Sequence, residues 1–145
     1  MKPGGAVLVD TNILVYAYQP AATQKMRAAK DLLRSLWSEC RGSVSVQNLT
    51  EFCSVSLTRM RPPIPPRELS AVIGDLSRAF RVLAPDAGTV SAALGGVVAH
   101  GLSFWDAMIW AVAKQNGVVE ILSEDFQSGR DVEGVLFTNP FGSSS

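Results

Sequence analysis

Four carboxylates are the residues of this chain best placed to do chemistry: Asp10, Glu51, Asp106 and Asp125. Asp10 ends the apolar run Ala6-Val7-Leu8-Val9, and Asp125 follows Val118-Val119-Glu120-Ile121-Leu122-Ser123-Glu124. Both patterns read as a buried strand that stops where its side chains meet water or a ligand. Glu51 and Asp106 are expected on the first turns of helices, after Gly42-Ser43-Val44-Ser45-Val46 and Ser103-Phe104-Trp105 respectively. Each acid also has a structural explanation. Asp10 or Asn12 can cap a helix beginning at Ile13, while Asn48 with Glu51 and Ser103 with Asp106 have capping-box spacing. Recurrence tips the balance toward chemistry, because an acid on the first turn of a buried helix is costly unless something pairs with it.

The elements between the acids give the reason they should meet. Strands alternating with helices imply a parallel sheet with right-handed crossovers, which gathers the carboxyl ends of all strands on one edge. Acids crowded on that rim would repel one another, so a cation is the natural partner. Oxygen-only ligands favour Mg2+, with Mn2+ as substitute, over zinc. Such an ion completes its shell with water and substrate phosphate, so the implied reaction is hydrolysis of a phosphodiester or phosphate ester. Asn12 and Ser123 are placed to orient the acids or waters.

Composition narrows the alternatives. At 145 residues and 47% hydrophobic the chain fits one compact domain, expected over residues 1–141 with 142–145 as a disordered Gly-Ser tail. Thirteen basic residues balance thirteen acidic ones, so bulk charge marks neither a histone-like nucleic-acid binder nor an acidic tail. The single histidine, His100, rules out paired-histidine ribonuclease or zinc chemistry and reads as a helix-terminal cation or a packed side chain. Cys40 and Cys53 lack metal-ligand spacing and read as reduced, buried thiols. No apolar run reaches membrane-spanning length, which points to a soluble, cytoplasmic protein.

Along the chain, a short helix after Asn12 stops at Pro20, and a second begins near Thr23 with Lys25, Arg27, Lys30 and Arg34 on its polar side. A helix through Val55 and Leu57 ends at the stiff Pro62–Pro66 loop. An amphipathic helix with Leu69, Leu76 and Phe80 inward leads to a strand at Arg81-Val82-Leu83. The next helix is expected to carry Val90, Leu94, Val97 and Val98 and to close at Gly101. A buried helix over Ala107 to Ala113, then strands at 118–122 and 135–137, complete the pattern.

Leu8-Val9-Asp10-Thr11-Asn12, Thr50-Glu51-Phe52, Ser103-Phe104-Trp105-Asp106-Ala107 and Ile121-Leu122-Ser123-Glu124-Asp125-Phe126 together resemble the PIN domain, and most closely the VapC toxins of toxin–antitoxin pairs. The resemblance spans nearly the whole chain, with four motifs in order. It implies a three-layer α/β/α sandwich around a central parallel sheet and a Mg2+-dependent endoribonuclease with Asp10, Glu51, Asp106 and Asp125 as its acidic quartet. Ser123 matches a small hydroxyl residue of the family. An RNA substrate, a homodimer and a small VapB-like antitoxin whose tail enters the acidic groove are implied as well. Glu124, beside Asp125, leaves open which acid points inward, although the motif favours Asp125. Trp105 and the proline-rich loop inherit no role. Two other readings compete: a haloacid-dehalogenase-like phosphatase, which wants an acid where Asn12 stands, and a non-catalytic scaffold whose acidic pocket engages a partner's arginine.

Overall fold

The computed structural model describes residues 4–126 and 128–142. In chain order the elements are β1 (Ala6–Val9), α1 (Thr11–Tyr18), α2 (Gln24–Ser38), β2 (Gly42–Ser45), α3 (Val46–Thr58), α4 (Pro66–Ala79), β3 (Arg81–Leu83), α5 (Ala87–His100), α6 (Phe104–Gln115), β4 (Val118–Leu122), β5 (Asp131–Val132) and β6 (Val135–Thr138). The strands form one sheet in the order β3-β2-β1-β4-β6-β5, parallel throughout except where β5 pairs with β6.

β1 shows why the sheet is covered on both faces. Val7, Leu8 and Val9 are all fully buried, and a strand's side chains alternate between faces. Val7 and Val9 pack with α1, α2, α3 and α4, whereas Leu8 packs with α5 and α6. Three layers follow, an α/β/α sandwich. β1 lies between β2 and β4: the chain winds from β1 outward through β2 to β3 and then crosses back to β4 on the other side of β1, which opens a crevice beyond the carboxyl ends of β1 and β4.

Five expectations from the sequence need correction. β5 escaped notice because two residues cannot show alternation; it turns into β6 through Glu133 and Gly134, with φ of +52° and +92°. Val46 belongs to α3 rather than to β2. Ser45 ends the strand by capping the helix: its hydroxyl accepts the Asn48 N–H at 3.0 Å, and Asn48 Oδ1 accepts the Ser45 N–H at 3.2 Å. The capping box is therefore Ser45–Asn48, not Asn48–Glu51, and Glu51 moves to the second turn, released from any capping duty. In α5 the inward residues are Thr89, Ala93 and Gly96, because a side chain at Gly96 would fall 2.6 Å from the Trp110 ring and the two helices need that close approach. Val90, Leu94 and Val98 consequently face outward, 39%, 53% and 88% exposed. The cysteines are free, as expected, but Cys40 is exposed in the turn after α2 and Cys53 only half-buried.

Other readings hold. Thr23 caps α2 and Gly101, at φ +66°, ends α5. His100 packs edge-on against Trp110, and its Nε2 lies 2.6 Å from Glu133 Oε2. Among the described residues no single helix is long and apolar enough to cross a membrane, and the apolar run Ala107 to Ala113 is buried inside the domain. The tail expected at 142–145 lies, beyond Gly142, outside the described residues.

Candidate active site

Asp10 does two jobs at once. As N-cap of α1 it accepts the Thr11 N–H on Oδ1 at 2.8 Å, while its position at the end of β1 aims the carboxylate into the crevice. Asn48 Nδ2 donates to Oδ1 at 3.0 Å and Ser123 Oγ donates to Oδ2 at 2.7 Å. The side chain is 6% exposed. Burial pushes its pKa up to about 6; the bonds from Ser123 and Thr11 pull the other way, and the negative charges of Asp125 and Glu51 push further up.

The remaining acids arrive from three other segments. Glu51, on α3, accepts from Gln47 Nε2 at 3.1 Å and from Thr11 Oγ1 at 3.1 Å. Asp125, in the loop after β4, accepts from Asn12 Nδ2 at 3.1 Å, and its own N–H donates to Ser123 Oγ at 3.1 Å. Asp106 sits in the first turn of α6, with its N–H on Ser103 Oγ at 3.3 Å. Its pKa is raised, first by burial and then by the charges of Asp125 and Glu51, against a hydrogen bond with Ser103. Asp10 and Asp106 thus both feel Glu51 and Asp125, so the structure brings all four acids within electrostatic reach along one edge of the sheet.

Asn12 and Ser123, singled out from sequence, tie this edge together. Asn12 Nδ2 spans Ser123 Oγ at 3.2 Å and Asp125, and Asn12 Oδ1 accepts the Glu124 N–H at 3.3 Å. Asn12 is thus an amide clamp and not a second acid, which removes the ground for a dehalogenase-like phosphatase. Glu124 turns away to Tyr16 and Lys25, leaving Asp125 as the inward acid.

Sequence reasoning missed three residues. Asn48, fully buried, was read only as a cap, yet its amide holds Asp10 and also donates to Thr11 Oγ1 at 3.3 Å. Thr11 and Gln47 hold Glu51. The available signal was the even spacing of Ser45, Asn48 and Glu51, in which the middle residue can serve both neighbours.

The donor set fits a hard divalent cation. Among the described residues no ion pair involves any of the four acids, and a carboxylate as buried as Asp10 is costly to ionise uncompensated. Among those residues, too, no three acids converge into a ready-made cage. An ion bound here would keep much of its shell for water and substrate oxygens, as Mg2+ prefers.

A central parallel sheet between helical layers, with acids from four segments at its switch point, defines an acid-lined α/β/α domain. The PIN domain family model matches residues 7–129, and the chain belongs to the PIN domain family. Among solved structures it is similar to a toxin–antitoxin complex from Klebsiella pneumoniae, with TM-score 0.67 and 17% identity over 93% of this chain and 98% of that one. DNA-bound VapBC from Salmonella typhimurium gives 0.63 and 18%, again over 93% and 98%. VapC20 of Mycobacterium tuberculosis, a Sarcin-Ricin loop cleaving toxin, gives 0.57 and 22% over 80% and 87%. At these identities the likeness is one of fold. No curated protein sequence is similar enough to serve as a relative.

Proposed function

We propose that this protein is a divalent-metal-dependent endoribonuclease and the toxin of a VapBC-type toxin–antitoxin pair. The observation that carries the reading is Asp10: a nearly fully buried carboxylate at the switch point of a PIN fold, pushed up to about 6, with negative neighbours and, among the described residues, no ion pair. Asp10, Glu51, Asp106 and Asp125, with water completing the shell, would hold Mg2+ or Mn2+, and the ion would supply Lewis acidity toward the scissile phosphate and a more acidic water. The chain supplies placement and proton handling. Ser123 and Asn48 fix the Asp10 oxygens, Asn12 fixes Asp125, and Thr11 and Gln47 fix Glu51, so the acids approach the phosphate with little left to order. One carboxylate takes the proton from the attacking water. The water oxygen bonds to phosphorus, the bond to the 3′-oxygen breaks, and that oxygen takes a proton from solvent water and leaves as a hydroxyl. The products are a 5′-phosphate and a 3′-hydroxyl, with the 2′-hydroxyl unused.

The partners follow from the same reading. A small VapB-like antitoxin covers the acidic edge, as befits a fold shared with toxin–antitoxin complexes. A homodimer is favoured by the outward row Val90, Leu94 and Val98 on α5, a helix whose only ionisable side chain is His100. The working compartment is the cytoplasm, where RNA and antitoxin are found.

The deciding experiment induces wild type and Asp106→Asn in cells and sequences RNA 5′ ends. Growth arrest with discrete new 5′-phosphate ends for wild type alone supports the reading. Equal toxicity of both, ends carrying 2′,3′-cyclic phosphate, or cleavage that survives full chelation overturns it.

A further inference from the structure

Beside the acids runs a groove of about 440 Å3 between the start of α3 and the start of α6. Val46, Pro85, Met108 and Trp105 give it apolar walls, and Glu51 lines it too. Trp105 is 63% exposed, although it precedes Asp106 in the chain and opens a helix whose next turns are fully buried. Its ring meets Phe104 edge-on, with centroids 5.3 Å apart, and most of the indole is left to solvent. An aromatic face so open contributes little to the core, and among the residues lining the groove it is the aromatic one.

We propose that this groove receives an unpaired nucleobase of the RNA substrate, stacked on Trp105 next to the scissile phosphate. The inference rests on the ribonuclease reading above and adds to it a site for one base beside the acids. Three observations favour a base over other occupants. Glu51 belongs both to the groove and to the acidic edge, so chain held at the acids has its flanking nucleotide at the groove. The walls are mostly apolar, with Gln47 and Thr50 neutral and Glu51 negative, which disfavours a phosphate or an acidic peptide but not a neutral ring. Stacking on an indole uses a π-face that every base has, and needs no charged partner. A base inside a duplex is already stacked and paired, so the site selects single strands, loops or bulges.

The test uses an oligoribonucleotide that the wild type cuts with Mg2+ or Mn2+, the same strand annealed to its complement, and versions with an abasic ribose at each position flanking the cut. Wild type is expected to cut the single strand and spare the duplex, and to lose roughly 5- to 100-fold in kcat/KM at one abasic position, mostly through KM. Trp105→Ala is expected to show that same loss on intact RNA and no further loss on the abasic version, while Trp105→Phe recovers most of it. Melting temperatures of both variants should match wild type, because the indole is largely exposed. Unchanged cutting by Trp105→Ala, an abasic penalty that persists in it, or loss of self-association with cleavage intact would overturn the proposal, the last by assigning the groove to a second copy of this chain. Quenching of indole emission by the same RNA in Ca2+, reduced in Trp105→Phe, reads the base contact apart from cleavage. Quenching without cleavage under any divalent metal would end the nuclease reading and keep the groove; neither quenching nor cleavage would end both.

Discussion

Glu124 and Asp125 are neighbours in the chain, yet the loop after β4 delivers them to opposite surroundings. Glu124 accepts the Tyr16 hydroxyl at 2.7 Å and pairs with Lys25, whose ammonium also lies 5.1 Å from the centre of the Tyr16 ring. Burial pushes the Glu124 carboxyl up, but Lys25 and Tyr16 outweigh it and hold it below the usual range. Among the described residues the Asp125 carboxylate is met by the neutral Asn12 amide, and its charge raises the pKa of both Asp10 and Asp106. The turn between β5 and β6 repeats the first pattern, with Glu133 answered by Lys114 and His100. The chain has as many cations as anions, so the negative edge arises from where the cations are kept. Among the described residues Glu124 and Glu133 are paired with cations, whereas the four acids of the proposed metal site are in no ion pair.

The comparison breaks most visibly if an acid at the edge is dispensable. Asp10→Asn, Asp106→Asn and Asp125→Asn should each lower metal-dependent RNA cleavage by about 100-fold or more, measured as kcat/KM on a defined oligoribonucleotide. A variant retaining most activity removes its acid from the site.

Stability against pH comes next in size. Asp10 binds its proton more tightly in the folded chain, near pH 6, than unfolded, near 3.8. Between those values the folded state holds more protons, so the metal-free protein should lose stability as pH rises through that window, by about 3 kcal/mol in all. Mg2+ should raise the melting temperature more at pH 7.5 than at pH 5, and Asp10→Asn should abolish the response. Metal-free Asp10→Asn should be the more stable protein at pH 7.5, with the gap closing toward pH 5. A gap that is flat across this range would show that the Asp10 charge is already compensated in the fold.

Much of this was legible in the sequence, and the gaps have local causes. β1, β4 and the buried helix α6 announce themselves because burial on most sides leaves long apolar runs. The order of strands and helices then places the carboxyl ends on one edge without any side-chain detail. What failed was discrimination between equivalent local fits. Ser45–Asn48 and Asn48–Glu51 have identical spacing, and only the end of β2 decides between them. On α5 the apolar residues surround the helix, so periodicity could not say that small residues face inward, a choice set by the Trp110 ring across from Gly96. Which of Glu124 and Asp125 enters the site depends on Tyr16 and Lys25, more than ninety residues away in sequence.

Asn48 tests the neutral scaffold that holds the acids. Asn48→Ala removes the amide from Asp10 and one half of the α3 capping box, so it should cost about 1 kcal/mol of stability and roughly 10- to 100-fold in metal-dependent activity. A loss of stability with full activity would reduce Asn48 to a cap.

The smallest expected effect falls on the flank. Glu124→Gln keeps a carbonyl oxygen for the Tyr16 hydroxyl and leaves untouched the backbone N–H that Asn12 accepts at 3.3 Å, so the Asp125 loop should not move. What disappears is the ion pair with Lys25, whose side chain is half exposed, and solvent-screened pairs of this kind contribute little to stability. Cleavage should therefore stay within about threefold of wild type and the melting temperature should fall slightly, less so in high salt, since only a partly exposed pair has been broken. A loss of cleavage as deep as that of Asp125→Asn would mean that the Lys25 pair also shapes the acidic edge, and the division between ion-paired acids and those of the proposed metal site would not hold.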